Sequence, residues 1–356
     1  LRKSIEVKTG IPKSAIMVCC THTHAGPEGY ASNLLRGVAR AESSLRLPTV
    51  SKLTEAVNSM LPMIRPVSLQ IGSAKVDCIC TNRNDPNRAI INKVDVLQIF
   101  DQKGLIAAIA SYGCHPTVLD ANNLLISSDF PGAARRHFEE HYPGSIFAFM
   151  NSGSGNASTR FTREGQDFHE VERMGLLFLD SVLNAQAHLF ELDSATIRSK
   201  VKVIELPAKE LLPLAVAEQK LQDLRSDYQK MAAESAAESE LRVIETMIMG
   251  AEKQVEYSRQ PSSLNSNLAE IQVIDFGDLR LIGIPGEPYS EVVEKILVGL
   301  TDKHTLVVSY ANDYLGYFPT SGSEESYETL KSPWRANVGD IIAEECIKLA
   351  GEVLES

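Results

Sequence analysis

Two histidines one residue apart, in Thr21-His22-Thr23-His24-Ala25-Gly26-Pro27, follow directly on the apolar run Ala15-Ile16-Met17-Val18-Cys19-Cys20. Imidazole is the commonest protein ligand for metal ions and also exchanges protons near neutral pH, so this step points to metal binding or acid–base work. Gly26 and Pro27 break the chain immediately afterwards, as a segment leaving a strand to line a cleft would. One ring is expected to bind a metal and the other to support it. Two hydrogen-bonded loop histidines are the alternative.

Three more strand ends offer donors in the same kind of place. His115 closes the run Ile106-Ala107-Ala108-Ile109-Ala110-Ser111-Tyr112-Gly113-Cys114, and Pro116 stops it. Glu287 lies in Ile282-Gly283-Ile284-Pro285-Gly286-Glu287-Pro288, and Tyr314 and Tyr317 follow the strand-like run that ends at Tyr310. The carboxyl ends of strands are where open α/β sheets place ligands, so four strand ends offering nitrogen or oxygen donors suggest one shared site. Cys114 is the neighbour of His115, and strand alternation turns it to the opposite face.

Such donors need a sheet to carry them. Apolar runs bounded by turn residues predict strands over 15–20, 67–79, 93–100, 105–113, 145–150, 196–205, 270–276, 279–284 and 304–310. Helical patterns fall at 51–62, 132–141, 168–186, 288–299 and 337–352, and Gly10 caps a short helix at the N-terminus. Strands interleaved with helices predict an α/β fold, a layered mixed β-sheet domain flanked by helices. Residues 208–258 differ: Leu214, Ala217, Leu221, Leu224, Tyr228 and Met231, then Leu241, Ile244, Ile248, Ala251 and Val255, recur every three or four positions. They predict an inserted antiparallel helical hairpin, serving as a structural insertion, a lid, or an arm for homo-oligomer formation. Gln260 to Ser266 reads as a surface loop. Asp129 before Phe130-Pro131-Gly132 reads as a helix N-cap.

The 356 residues read as a single catalytic domain over 1–356 that begins inside the domain, which leaves an upstream signal peptide open. With 44% hydrophobic and 23% charged residues the chain has ample core-forming sequence. A net charge of −11 argues against nucleic acid as a partner, and no apolar run approaches the ~20 residues of a membrane span. Six cysteines show no zinc-ribbon spacing, and reduced thiols in a cytoplasmic protein are expected. Gly153-Ser154-Gly155-Asn156 lacks the lysine of a phosphate-binding loop. His137, His141, His169, His188 and His304 have no motif around them.

The segment from Thr21 to Pro27 resembles the Thr-His-Thr-His-x-Gly-Pro signature of the neutral/alkaline, non-lysosomal ceramidases. Further segments fit in the same order: Gly113-Cys114-His115-Pro116-Thr117, Ser128-Asp129-Phe130-Pro131-Gly132, Gly155-Asn156-Ala157-Ser158, Ile284-Pro285-Gly286-Glu287, and Asn312-Asp313-Tyr314-Leu315-Gly316-Tyr317 with Tyr327-Glu328. The resemblance implies a single zinc held by His22, His115, Glu287 and Tyr317. It also implies that His24, Arg83 and Tyr327 face the substrate amide or the water on the metal, and that Ser158 is the active-site serine. Zinc with an open position polarises a carbonyl and lowers the pKa of its water towards ~7. In such a site His24 would carry the proton, and Arg83 and Tyr327 would donate to an oxyanion.

The expected function is therefore zinc-dependent hydrolysis of a linear N-acyl amide, the partner being a small-molecule N-acyl substrate, lipid or not. A metallo-hydrolase on a non-lipid N-acyl or ester substrate, or a non-catalytic binding protein retaining the fold, is the alternative. One departure stands out: Asn156 occupies the position of the acid in the family's Gly-Asp-x-Ser-Pro.

Overall fold

Burial alternates along two central strands, and this alternation builds the layers. Val94 and Val96, with Ala108 and Ala110 of the neighbouring strand, turn to one face and pack with Phe130, Phe138, Met174 and Phe178 of two helices. Leu97 and Ile109 turn to the other face.

The computed structural model of the protein describes residues 1–27, 43–193, 196–260 and 267–354. In chain order the elements are α1 (Arg2–Thr9), α2 (Ser43–Met60), β1 (Ser68–Lys75), β2 (Thr81–Asn82), β3 (Lys93–Asp101), β4 (Gly104–Tyr112), α3 (Asp129–His141), β5 (Ile146–Asn151), β6 (Ala157–Ser158), α4 (Phe168–Ala185), β7 (Phe190–Leu192) and β8 (Arg198–Glu205). Then come α5 (Leu214–Ala233), α6 (Glu238–Arg259), β9 (Leu268–Asp275), β10 (Leu279–Gly283), β11 (Glu287–Pro288), α7 (Ser290–Gly299), β12 (His304–Val308), β13 (Tyr317–Phe318), α8 (Tyr327–Lys331) and α9 (Val338–Glu352). The surface loop expected up to residue 266 lies, from 261 onward, outside the described residues.

The expected α/β class holds, with the strands divided between two main sheets. One has the order β5-β4-β3-β1-β7, with β4 and β5 parallel; the other runs β12-β10-β9-β8, with β10 and β12 parallel. Ile71 and Leu97 of the first meet Leu279 and Leu306 of the second, while α3 and α4 cover the first sheet and α7 and α9 the second. Both sheets are apolar on both faces, so each buries one face under helices and the other against its partner. Two short ladders lie beside the site: β2 with β6 pairs Thr81 to Ser158, and β11 with β13 pairs Glu287 to Tyr317.

Residues 15–20 are not a strand. A 3-10 turn at Lys13–Ala15 leads into an irregular path whose backbone is satisfied by side chains. Gln272 Nε2 donates to the carbonyls of Ser14 and Ile16, and Asn312 Oδ1 accepts the Val18 N–H at 3.0 Å. With those groups already bonded, no ladder is needed. Cys19 and Cys20 on this path are exposed, as is Cys78, whereas Cys80, Cys114 and Cys346 are buried.

The hairpin forms as α5 and α6. It does not stand free, because α6 docks on α8: Gln254 Nε2 donates to the Leu330 carbonyl at 3.0 Å, and a Cβ on Gly250 would meet Leu330 Cβ at 2.8 Å. The insertion thus braces the short helix that carries Tyr327 and Glu328. Among the described residues no helix is long and apolar enough to cross a membrane.

Candidate active site

Left-handed backbone gathers at one end of the sheets. Of six non-glycine residues with positive φ among the described residues, His22 (68°), Tyr310 (55°), Asn312 (67°) and Asp129 (56°) belong to the segments that meet there. Such conformations are costly for side-chain-bearing residues and persist where surrounding contacts enforce them. His22 is held by its ring, which stacks on Tyr310 with centroids 4.1 Å apart and planes 13° from parallel. Asn312 holds the incoming chain through Val18.

The two histidines of the His-x-His step act together. Their Nε2 atoms lie 3.2 Å apart, and the ligand nitrogens of His22, His24 and His115 all fall within 4.8 Å of one another. Both rings of the step thus come together with His115 in one group of imidazoles. Residues two apart on an extended stretch share a face, and the turn at His22 keeps both rings on it. His115 is fully buried, His22 half-buried, and His24 exposed, so His24 forms the open side of the group.

Glu287 completes the cluster. Its Oε2 lies 3.0 Å from His115 Nε2 and 3.5 Å from His22 Nε2, and the Tyr310 hydroxyl approaches the same oxygen at 3.5 Å. Tyr314 donates its hydroxyl to Oε1. Burial works to raise the Glu287 carboxyl, yet His22, His115 and Tyr314 outweigh it and hold it well below the usual carboxylate range. Burial pushes His22 down to about 3 despite the pull of Glu287. Burial, with Arg83 adding to it, pushes His115 down to about 4. Both imidazoles are neutral at physiological pH.

The state of His115 tests whether these residues suit a metal. Its Nδ1 faces the carbonyls of Ser154 at 2.7 Å and Ala157 at 3.1 Å, so Nδ1 carries the ring's single proton. Nε2 then presents a lone pair. It is buried, has no hydrogen-bond partner, and points at a carboxylate oxygen. Lone pair against anion is repulsive and leaves a buried polar atom unsatisfied. A cation between His115, His22 and Glu287 removes both penalties, and a backbone carbonyl fixing the far nitrogen is the usual support for a ligating histidine. The residues present fit a divalent metal.

Beside this group runs a buried polar chain. Arg83 pairs through Nε with Glu328 Oε1 at 2.5 Å, and its NH2 donates to the Tyr317 hydroxyl at 2.9 Å. Burial opposes the Arg83 charge, but Glu328 and Tyr317 hold its pKa well above the ordinary value. Burial pushes the Tyr317 phenol well above its ordinary value, with Arg83 opposing. Tyr317 reaches Glu287 through the β11–β13 ladder. Tyr327 packs edge-on against the Tyr317 ring at 5.7 Å, and its hydroxyl accepts from Lys331 Nζ at 2.7 Å. Arg83, expected as a donor to substrate, is thus turned toward Tyr317.

Ser158 is buried next to His115, to which its backbone bridges. Its hydroxyl accepts the Arg160 N–H at 3.3 Å, and among the described residues no imidazole or carboxylate is hydrogen-bonded to it. Asn156 binds a different neighbour: Oδ1 accepts the Ser290 N–H at 2.9 Å and Nδ2 donates to Glu291 Oε2 at 2.7 Å. Asp129 was expected as the N-cap of α3 but is the first residue of that helix, with Ser128 at the cap position. Its carboxylate accepts from Phe130, Val118 and Leu119, tying the loop after His115 to the helix.

Glu328, Tyr310 and Ser154 were not singled out by sequence reasoning. Glu328 follows Tyr327 and Tyr310 ends a strand, so adjacency to motif residues was the available signal. Ser154 contributes a carbonyl, and its hydroxyl is 2.8 Å from Tyr310, relations no local pattern encodes.

No protein-family model matches the chain. In sequence it is 22% identical, over an alignment of 381 residues, to the neutral ceramidase of Pseudomonas aeruginosa, with 90% of this chain and 57% of that protein aligned. In structure it is similar to the crystal structure of neutral ceramidase from Pseudomonas aeruginosa, with a TM-score of 0.71 and 20% identity over 99% of this chain and 64% of the other. It is also similar to a ceramidase complexed with C2, at a TM-score of 0.63 and 18% identity, covering 95% and 62%. The chain spans less than two thirds of the length of these relatives.

Proposed function

From a chain that is a ceramidase-family homologue in sequence and fold, we propose a metal-dependent hydrolase that cleaves a linear amide (N-acyl) bond. The ion is proposed to be zinc, held by His22, His115, Glu287 and Tyr317. One observation supports this above the others: the buried lone pair of His115 Nε2 facing Glu287 with no proton between them. When bound, zinc supplies Lewis-acid chemistry, polarising a carbonyl oxygen and acidifying water.

The chain's own groups supply the rest. Glu287 and the three imidazoles gather electron pairs at one point, and Tyr310 and Tyr314 fix the carboxylate so that little reorganisation is needed. Arg83, anchored by Glu328, orients the Tyr317 oxygen and favours its deprotonated form. His24, neutral and on the open side, is placed to take a proton from water and return it to the leaving amine. Tyr327 presents its ring and hydroxyl beside Tyr317 as a contact for the substrate amide. Ser158 is proposed to act through a hydrogen bond, since among the described residues no base is hydrogen-bonded to it to make it a nucleophile.

Elemental analysis of the purified protein, alongside an amidase screen on N-acyl substrates, tests this reading. One bound zinc per chain is expected, lost together with hydrolysis in His22→Ala and His115→Ala. Unchanged zinc content in both variants would reject the site, and tightly held zinc with no hydrolysis of any amide would favour a binding protein.

A further inference from the structure

Most of the half-buried and buried arginines of this protein have carboxylate partners. Arg2 pairs with Glu270, Arg83 with Glu328, Arg173 with Glu170 and Arg280 with Asp302. Arg160 and Arg163 break that rule. Each is half-buried, and among the described residues neither forms an ion pair. Arg160 NH1 donates to the Arg83 carbonyl at 2.7 Å, and Arg163 NH1 donates to the Thr117 carbonyl at 2.8 Å. Each thereby leaves most of a planar fork of donors unused.

Their placement is specific. Arg160 stands two residues past Ser158 and rests on Arg83, while Arg163 rests on Thr117, two residues past His115. Both therefore hang on segments that adjoin the proposed metal centre, Arg160 on the one that follows Ser158 and Arg163 on the one that follows His115. Arg242, from the first turns of α6, adds its charge to both. Burial, followed by the charge of Arg83, pushes Arg160 down to about 10, with Glu328 opposing. Burial and Arg242 also lower Arg163, against Glu238, Asp120 and Asp129. Three of those acids have other partners, and the fourth, Glu238, is exposed. Asp129 accepts three backbone N–H groups, Asp120 binds Asn122 and Gln166, and Glu328 holds Arg83. In a chain of net charge −11, two half-buried guanidinium groups that form no ion pair among the described residues concentrate positive charge.

We propose that Arg160 and Arg163 form an anion-recognition subsite, and that the N-acyl compound this protein takes carries a negatively charged group: a carboxylate, sulfonate or phosphate. A planar guanidinium matches each of these through paired hydrogen bonds. The assignment rests on the amide-hydrolase reading for the identity of the ligand, and binding and turnover are measured separately so that the two can fail independently.

The probes are N-hexanoylglycine, N-hexanoyltaurine and N-hexanoyl-O-phosphoethanolamine against neutral N-hexanoylethanolamine, titrated calorimetrically into the metal-loaded full chain. At least one anionic compound is expected to bind about tenfold more tightly than the neutral one, equivalent to about 1.4 kcal/mol. That preference should fall toward unity in Arg163→Gln and in Arg160→Gln/Arg163→Gln, and rising salt should erode it in the wild type. The ranking of the anions identifies the charged group. Arg163→Lys, which keeps charge but loses the fork, should retain part of the preference. If Arg160→Gln fails to fold, Arg163→Gln alone decides. Equal wild-type affinity for charged and neutral probes, or a preference untouched by Arg163→Gln, overturns the subsite. Preferential anion binding with no hydrolysis of any probe leaves the subsite standing and removes the hydrolase reading.

Discussion

Replacing Asn156 by Asp restores the acid that the resembling family has at this position, and here it should be damaging. The Asn156 amide uses both ends, accepting from Ser290 N–H at the start of α7 and donating to Glu291 Oε2 at 2.7 Å. A carboxylate keeps the first contact and turns the second into two facing anions. Two full charges about 3 Å apart at an effective dielectric near 20 repel by roughly 5 kcal/mol, a ceiling because one carboxyl will take up a proton instead. Loss of a charge-assisted hydrogen bond alone is worth about 1.5–3 kcal/mol. Since Glu291 is half-buried, a net cost of about 2–4 kcal/mol is expected. The same loop supplies the Ser154 and Ala157 carbonyls that hold His115, so metal affinity should fall as well. Urea unfolding of wild type, Asn156→Asp, Glu291→Gln and the double variant measures the coupling, with Glu291→Gln expected to recover most of the loss in the Asp background. The raised carboxyl binds its proton more tightly in the folded than in the unfolded state. The deficit should therefore be full at neutral pH and shrink as acid protonates the pair. A single variant within about 0.5 kcal/mol of wild type, or a double variant with no recovery, would refute this account of Asn156.

Other expectations test the same site. Glu328→Gln leaves Arg83 buried without its counter-charge and should cost about 3–5 kcal/mol in denaturant unfolding; a loss below about 1 kcal/mol would mean that the pair does not anchor Arg83. In Gly155→Ala the new Cβ would lie 2.6 Å from the Glu287 carbonyl oxygen, backbone that can yield only by shifting the Glu287 segment. A loss of about 1–3 kcal/mol with weakened metal retention is expected, and a neutral effect on both would show that the close approach is unimportant. For the metal-free protein, His115 titrates near 4 when folded and about 6.5 when unfolded. Across that window the unfolded chain binds the extra proton, so stability should drop by up to about 3 kcal/mol as pH falls. Equilibrium unfolding against pH should show the slope, and His115→Gln should reduce it, leaving the share that belongs to His22.

Much of the site was legible because its donors sit where local patterns change. His115, Glu287 and Tyr317 stand at apolar runs ending in Gly or Pro, and those runs, apart from 15–20, became strands or their immediate continuations. Helices were readable from periodicity, and Gly10, with φ 78°, closes α1 as a C-cap glycine should. The run 15–20 misled because an apolar stretch of that length is equally consistent with a segment bonded by side chains. Only the fold brings Gln272 and Asn312 to its backbone.

Residue types and their order along the chain therefore determined the element sequence, the α/β class and the candidate ligands. Tertiary structure decided that the strands form two facing sheets, that His24 joins His22 and His115, that Glu328 holds Arg83, and that Arg160 and Arg163 form no ion pair among the described residues. The physical reason is one of range. Propensity, alternation and capping act over a few residues and leave their trace in sequence. Whether an apolar face meets a helix or another sheet, and which charge answers which, depends on contacts between segments hundreds of residues apart, such as Arg83 with Glu328.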